Sequence, residues 1–246
     1  KMRDYSSVLF TDVWHNSPQY IHLLAEIEKR VFADRGEYLG DPDFVEIPVA
    51  ELLNEEYLKR RATEVDPKKI SLTPGVKGGL ESTDTTHFSI VDKAGNAVSI
   101  TTTLNWDFGS GVVVEGAGFV LNNEMDDFSA KVGVKNKFGV IGNARNAIEP
   151  GKRMLSSMTP TIVLKNDKPA LVIGTQGGST IITSVYQVML NLYAYGMPLQ
   201  NAIDVTRYHH QLPDAYVIRH DQRQIPATTN KTLTDKGYKV EANSWG

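Results

Sequence analysis

Apolar residues in the first quarter of the chain recur three and four apart. From residue 17 to 38, Ile21, Leu24, Ala25, Val31 and Phe32, with Glu28 in the same series, set a period that predicts an amphipathic helix. Ser17 is placed to cap it and Pro18 to open its first turn. Asp41-Pro42-Asp43 predicts a turn. A second helix is predicted from near Pro48, with Leu52, Leu53, Tyr57 and Leu58 on one face and charged residues on the rest. Residues 66–84 lose this period and read as a polar, turn-rich connector. From Thr85 the period becomes two. Residues 86–91 and 97–104 predict paired strands, joined by 92–96, where Gly95 is free to turn left-handed.

A glycine-dense stretch (Gly109, Gly111, Gly116, Gly118) leads into a short strand ending at Leu121. Residues 129–155 read as a polar loop, long enough to suggest a functional one. A second hairpin is predicted over 161–164 and 170–174, around Asn166-Asp167. A helix over 179–195 ends at Gly196 and Pro198, and a shorter one covers 199–205. Residues 215–218 and 238–240 predict further strands. Two helices, then hairpins, then helices do not give βαβ alternation. The class predicted is α+β, with antiparallel sheet covered by helices.

Composition narrows the function. The 246 residues suffice for one large domain or two small ones. A hydrophobic share of 41% with 22% charged residues is ordinary for a globular protein and excludes disorder over most of the chain. The 26 basic and 29 acidic side chains give a net charge of −3, which argues against a nucleic-acid partner. No apolar run reaches the roughly eighteen residues of a spanning helix. With no cysteine, disulfides, thiolate catalysis and Cys-zinc sites are excluded, while the compartment stays open. The chain starts Lys1-Met2-Arg3 and stops at Ser244-Trp245-Gly246 after a strand-like stretch. The expectation is an internal piece of a longer protein.

Three segments could carry chemistry. Asp84-Thr85-Thr86-His87 sits where a loop becomes a strand, and by itself suits a plain strand start. Residues 121–128 pack Glu124, Asp126 and Asp127 with Asn122 and Asn123 after an apolar strand; they read as a solvated turn, or as a pocket for an ammonium or a divalent metal. Residues 174–179, between a strand and a helix, read as a tight turn needing positive φ, or as backbone N–H donors for an anion or oxyanion. No Lys follows Gly178, so this is not a Walker A loop. His209-His210 read as structural histidines rather than metal ligands, and Asn230-Lys231-Thr232 is a glycosylation sequon by pattern only.

Together these segments resemble the γ-glutamyltranspeptidase family. Residues 85–92 with Thr101-Thr102-Thr103-Leu104-Asn105 resemble the start of its small subunit, and residues 121–128 its acidic substrate loop. Residues 152–160 and 176–179 match two more of its motifs. Residues 17–44 are similar to the end of its large subunit. The resemblance implies an N-terminal-nucleophile hydrolase with a four-layer αββα sandwich. Residues 1–84 would then end the large subunit, and 85–246 would form most of the small one.

The implied activity is that of a γ-glutamyltransferase and glutathione hydrolase. Thr85 would cut the Asp84–Thr85 bond and then use its own α-amine, which titrates near pH ~8, as the base for its hydroxyl. Thr103 would hold that hydroxyl, and Gly177 and Gly178 would form the oxyanion hole. Asn105, Glu124 and Asp127 would hold the substrate ammonium, and Ser156 and Ser157 its α-carboxylate, aided by an arginine upstream of residue 1. Residues 131–142 match a lid, with Phe138 at the place often held by Tyr. Implied partners are glutathione and other γ-glutamyl compounds, amino-acid, peptide or water acceptors, and the remainder of the large subunit. No cofactor and no metal are implied, and the implied compartment is periplasmic or secreted. Two alternatives stand: a related amidohydrolase acting on poly-γ-glutamate or acylated β-lactams, and an inactive homologue acting as a binding module.

Overall fold

The structure, a computed structural model, describes residues 1–72, 85–129, 144–212 and 214–242. In chain order its elements begin with helices α1 (Met2–Tyr5), α2 (Pro18–Tyr38), α3 (Val49–Leu52) and α4 (Glu55–Thr63). Strands β1 (Thr85–Val91), β2 (Ala97–Thr103), β3 (Val113–Val114), β4 (Phe119–Val120), β5 (Thr161–Lys165) and β6 (Lys168–Ile173) follow. Helices α5 (Thr180–Tyr193) and α6 (Leu199–Asp204) precede β7 (Tyr208–His209), β8 (Val217–His220), α7 (Ala227–Asp235) and β9 (Lys239–Ala242). Two compact units result. The first draws on Lys1–Gly79, Phe128–Leu155 and Tyr208–Asn243, the second on Leu80–Asp127 and Ser156–Arg207.

The first unit is built on α2. Ser17 caps it, its Oγ accepting the Tyr20 N–H at 3.2 Å, and Pro18 opens the first turn. The amphipathic expectation is corrected here, because burial runs round the helix. Tyr20, Ile21, Leu23, Leu24, Ala25 and Ile27 are buried, but so are His22, Glu26, Glu28, Lys29 and Arg30. A charged side chain enters a core only with partners. Glu26 takes Lys29 Nζ at 2.7 Å, Arg30 Nη1 at 3.0 Å and the Ser71 N–H at 3.2 Å. Lys29 also donates to the Ser71 carbonyl at 2.7 Å, and Arg30 donates to the Glu64 carbonyl. Burial pushes the Glu26 carboxyl up, but the bonds from Lys29, Ser71 and Arg30 outweigh it and hold the group below its ordinary value.

Other α2 residues reach later parts of the chain. His22 Nε2 donates to the Asp66 carbonyl at 2.9 Å, which leaves Nδ1 to accept the Tyr238 hydroxyl at 2.7 Å. Glu28 accepts the His210 N–H at 2.8 Å, and Phe32 meets the His209 ring edge-on with centroids 5.6 Å apart. Just beyond α2, Asp41 accepts the Arg153 guanidinium at 2.6 and 3.1 Å and the Arg153 N–H at 2.7 Å.

The single helix expected from Pro48 is two. Asn54 interrupts it, its Oδ1 accepting the Glu56 and Tyr57 N–H groups at 2.9 and 3.2 Å, so α4 starts afresh behind a capping side chain. In the last sheet β7–β8 is antiparallel but β8–β9 is parallel, a departure from the antiparallel expectation. Helix α7 is the crossover that parallel pairing requires. Its threonine-rich sequence gave no helical signal.

In the second unit β1 and β2 pair in full register. Thr85 faces Thr103, His87 faces Thr101 and Ser89 faces Ser99, all on one surface. Phe88 opposite Ile100 and Ile90 opposite Val98 make the other surface apolar, and all four are exposed. The β5–β6 hairpin turns at Asn166 and Asp167 with φ of +53° and +60°, the left-handed pair that a two-residue turn of this kind needs. The end of β6 lies on the polar surface of the first hairpin. Ser99 Oγ donates to the Ile173 carbonyl at 3.1 Å, and a Cβ on Gly174 would fall 2.3 Å from the His87 ring. Helix α5 then begins at Thr180, and Asn191 ties it to α6 by donating to the Ala202 carbonyl at 3.1 Å.

The charges inside α2 set a test. Glu26→Ala removes the carboxylate shared by Lys29 and Arg30, leaving buried Lys29 with only the Ser71 carbonyl and Arg30 with Glu64, and should cost about 3–5 kcal/mol in urea denaturation of the complete protein. Adding Lys29→Met should recover part of the loss. Because Glu26 titrates below its unfolded value in the folded state, its contribution is present above the ordinary carboxylate range and lost as pH falls through the depressed one. A loss under about 1 kcal/mol would remove the cluster from the stability argument.

Candidate active site

Thr85 opens β1 and is buried. Residues directly opposite in an antiparallel pair hold their Cβ atoms about 5 Å apart on one surface. The register therefore sets the Thr85 and Thr103 side chains next to each other on one surface. The strand ends frame a cleft of about 480 Å³, lined by Thr85, Thr86, Thr102, Thr103, Leu104, Trp106, Asp107 and Gln176. One pair along the same surface, His87 bonds Thr101 Oγ1 at 2.8 Å and Ser89 Oγ at 3.0 Å, and burial pulls its imidazole below the ordinary value.

The chain leaves β2 through Asn105, at φ +74°. Asn tolerates this region better than most residues. Its N–H donates to Thr103 Oγ1 at 2.9 Å and its Nδ2 to the Asn123 carbonyl at 3.3 Å. Asn123 returns the contact: its N–H donates to the Leu104 carbonyl at 3.1 Å, and its Oδ1 accepts the Trp106 N–H at 3.1 Å. Its Nδ2 donates to Asp126 at 3.1 Å. The acidic segment is thus laced to the end of β2. Glu124 is half-buried and Asp127 similar, and burial pushes the Glu124 carboxyl up. A carboxylate short of solvent is stabilised by a cation.

The other wall comes from the turn between β6 and α5. Gln176 reaches the cleft, and Gly177 and Gly178, both buried, follow at φ +122° and +57°. Thr180 folds back on the turn, its hydroxyl donating to the Gly177 carbonyl at 2.6 Å and its N–H at 3.1 Å. A Cβ on Gly177 would lie 2.4 Å from Thr180 Oγ1, so both space and φ demand glycine. Among the described residues nothing accepts a hydrogen bond from the N–H of Gly177 or Gly178. Buried, unengaged N–H groups at a helix start suit an anion or oxyanion.

Of the residues singled out in the sequence, Thr85 and Thr103 share the cleft, Asn105 and Gly177 are chain neighbours of residues that line it, and Gly178 follows Gly177. Glu124 and Asp127 belong to the segment fastened to Asn105 and Trp106. Ser157 is buried and Ser156 exposed, and neither lines the cleft. Asp84 and Phe138 lie outside the described residues. Trp106 and Asp107 were missed, though each is within two residues of Asn105, and that adjacency was the available signal; Gln176 was marked only as part of the glycine turn. His209 and His210 are buried in the first unit, bonded to Gln211 at 3.0 Å and the Val217 carbonyl at 2.8 Å. Among the described residues no group of three acidic or histidine side chains is arranged for a metal, and no helix is long and apolar enough to cross a membrane.

The family model for gamma-glutamyltranspeptidase matches residues 2–246. The chain belongs to the gamma-glutamyltranspeptidase family. The glutathione hydrolase proenzyme of Pseudomonas aeruginosa is 59% identical to it over 237 residues, 96% of this chain and 42% of that protein. Gamma-glutamyltranspeptidase from Pseudomonas nitroreducens, solved complexed with L-DON, matches at a TM-score of 0.62 and 56% identity, over 65% of this chain and 84% of that one. Cephalosporin acylase from Bacillus halodurans matches at a TM-score of 0.75 and 25% identity, over 98% of this chain and 42% of that one. The chain therefore spans about two fifths of the length of the curated relatives it matches.

For a gamma-glutamyltranspeptidase, the paired glycines are the sharpest local test. Gly177→Ala forces a side chain against Thr180 at a φ that L residues rarely adopt. Strain of about 1–3 kcal/mol is expected, relieved by movement of the turn. Activity of the complete protein should fall at least tenfold, with a lower melting temperature. Wild-type activity and stability would show that the turn does not need this geometry.

Proposed function

We propose that this chain, within the complete protein, forms the catalytic part of a γ-glutamyltransferase and glutathione hydrolase that processes itself at Asp84–Thr85. The carrying observation is the position of Thr85: buried at the head of β1, opposite Thr103, in a cleft whose other wall runs into Gly177 and Gly178. In the first step the Thr85 hydroxyl attacks the Asp84 carbonyl carbon, the C–N bond breaks, and an ester forms. Water opens the ester. Thr85 is then an N-terminus whose amine, with an ordinary value near ~8, accepts the hydroxyl proton that an amide nitrogen could not. Thr103 Oγ1, oriented by the Asn105 N–H, holds the nucleophile.

In turnover Thr85 Oγ bonds to the γ-glutamyl carbonyl carbon, and the Gly177 and Gly178 N–H groups take the developing oxyanion. The amine returns the proton to the leaving nitrogen. An amino acid, a peptide or water then takes the γ-glutamyl group from the ester. Asn105, Glu124 and Asp127 hold the substrate ammonium, Ser156 and Ser157 its carboxylate with an arginine from the remaining polypeptide, and Phe138 closes over the site. The two products of the cut, 1–84 and 85–246, stay together as parts of one domain with the rest of the large subunit. The exposed apolar surface of Phe88, Ile90, Val98 and Ile100 supports a further sheet layer from that polypeptide, completing an αββα sandwich. The split at Thr85 also agrees with lengths. Residues 85–246 are about two thirds of the sequence, and the Pseudomonas nitroreducens chain covers 65% of it. A periplasmic or secreted location follows from the family alone.

The similarity to a cephalosporin acylase along 98% of the chain favours a second reading, an amidohydrolase with the same nucleophile. Substrates separate the two. A γ-glutamyl anilide should turn over at least 100-fold faster than a glutaryl anilide, which lacks the α-amine; equal rates would favour the acylase. Thr85→Ala should give an uncut and inactive protein by mass spectrometry and assay, and an uncut wild-type chain with full activity would sink the mechanism. Glu124 must be ionised to hold the ammonium, and burial holds its carboxyl above the ordinary ~4.3. Hence kcat/KM should fall as pH drops through that raised value, and Glu124→Gln should abolish this acid limb. An unchanged limb in the variant would remove Glu124 from the site.

A further inference from the structure

The turn between β6 and α5 holds one more polar group without a partner. Ser179 stands at the head of the 14-residue helix α5, is 2% exposed, and its Oγ makes no hydrogen bond among the described residues. A serine at this place ordinarily caps its own helix from an extended backbone. Ser179 is instead helical, at φ −63° and ψ −22°, and accepts none of the helix N–H groups. The neighbouring atoms define what is missing. The carbonyls of Gly177 and Gly178 are taken by the N–H groups of Thr180 and Ile181 at 3.1 Å each. The N–H groups of Gly177, Gly178 and Ser179 donate to nothing described. Three backbone donors and one hydroxyl, all buried, thus stand in succession directly after Gln176, which lines the cleft with Thr85 and Thr103. Buried donors without a described partner call for an explanation, and donors in succession at a helix start suit an anionic oxygen.

We infer that the Ser179 hydroxyl is a further donor to the oxyanion that forms when Thr85 attacks a carbonyl. The inference rests on the reading of Thr85 as nucleophile. As Thr85 Oγ bonds to the carbonyl carbon, its proton passes to the α-amine and the carbonyl π pair moves onto oxygen. That oxygen accepts hydrogen bonds from the turn's N–H groups and from Ser179 Oγ–H, which stays protonated throughout. When the pair returns, the C–N bond breaks and the leaving nitrogen departs with the proton held by the amine. A hydroxyl rotates about one bond, so its hydrogen can follow an oxygen moving from planar to tetrahedral carbon.

The test uses the complete, processed protein and γ-glutamyl p-nitroanilide. Ser179→Ala should lower kcat about 10- to 100-fold with KM within about threefold. It should weaken, by a similar factor, a γ-boronic acid whose tetrahedral adduct on Thr85 mimics the intermediate. Ser179→Cys, near in volume but a poor donor, should lose kcat likewise at an unchanged melting temperature. If either variant stays uncut, its rate of self-cleavage by mass spectrometry replaces kcat, because cleavage passes through the same oxyanion. Rates within twofold of wild type in both variants overturn the inference. So does a raised KM at constant kcat, which would make Ser179 a carboxylate ligand, or a lost melting temperature at constant kcat, which would make it structural. Full activity in Thr85→Ala overturns the nucleophile itself, and is scored separately from any Ser179 result.

Discussion

A charged helix buried on every side is the constraint on which the first unit depends. Glu26, Lys29 and Arg30 of α2 are removed from solvent and offset their desolvation with partners, while burial pushes the Glu28 carboxyl well above its ordinary value and so favours its neutral form. The partners come from separated parts of the chain. Glu64 and Ser71 close on Arg30, Lys29 and Glu26, and His210 closes on Glu28. His22 adds Asp66 and Tyr238. The Glu26 bonds to Lys29 and Arg30 lie within α2 and travel with it, so its register is fixed by its apolar packing and by the bonds to Ser71, Glu64, Asp66, His210 and Tyr238.

This arrangement bears on what a cut before Thr85 would do. The bonds from α2 to His210 and Tyr238, the Phe32–His209 contact and the Arg153–Asp41 pair all join residues before 85 to residues after it, within one unit. Breaking one peptide bond leaves them intact. The two pieces would stay associated because the core they share was assembled while they were one chain. Separation would expose the apolar residues of α2 and break the bonds to His210, Tyr238 and Arg153, an outcome less favourable than remaining bound.

The sequence disclosed the second unit better than the first. Period two from Thr85, the Asn166-Asp167 turn and the paired glycines before α5 are local signals, and the structure has them in place. The acidic segment was legible as unusual, and its lacing to Asn105 through Asn123 explains its position. What stayed hidden was non-local. Periodicity marks the apolar stripe of α2 but cannot say that Glu28 is buried, because its partner is 182 residues away. Asn54 splits a plausible helix by out-competing the helix with its own side chain. Helix α7 is stabilised by packing rather than propensity. Trp106, Asp107 and Gln176 enter the cleft through the meeting of two loops distant in sequence. Ser179 lies in the glycine turn that the sequence marked, but its hydroxyl is set apart from an ordinary helix cap only by its burial without a described partner.

The proposed mechanism places its nucleophile at the first position of a strand. The ladder from Thr86 to Val91 against Ala97 to Thr102 holds β1 whether or not residue 84 is attached. Thr103 and Asn105 fix the opposite strand end through a bond that does not involve Thr85. The proposed cleavage would therefore change the chemistry of one nitrogen, from amide to amine, while Thr85 keeps its place opposite Thr103. In the proposed mechanism the precursor and the mature protein would use one oxyanion site for two carbonyls, the chain's own and the substrate's.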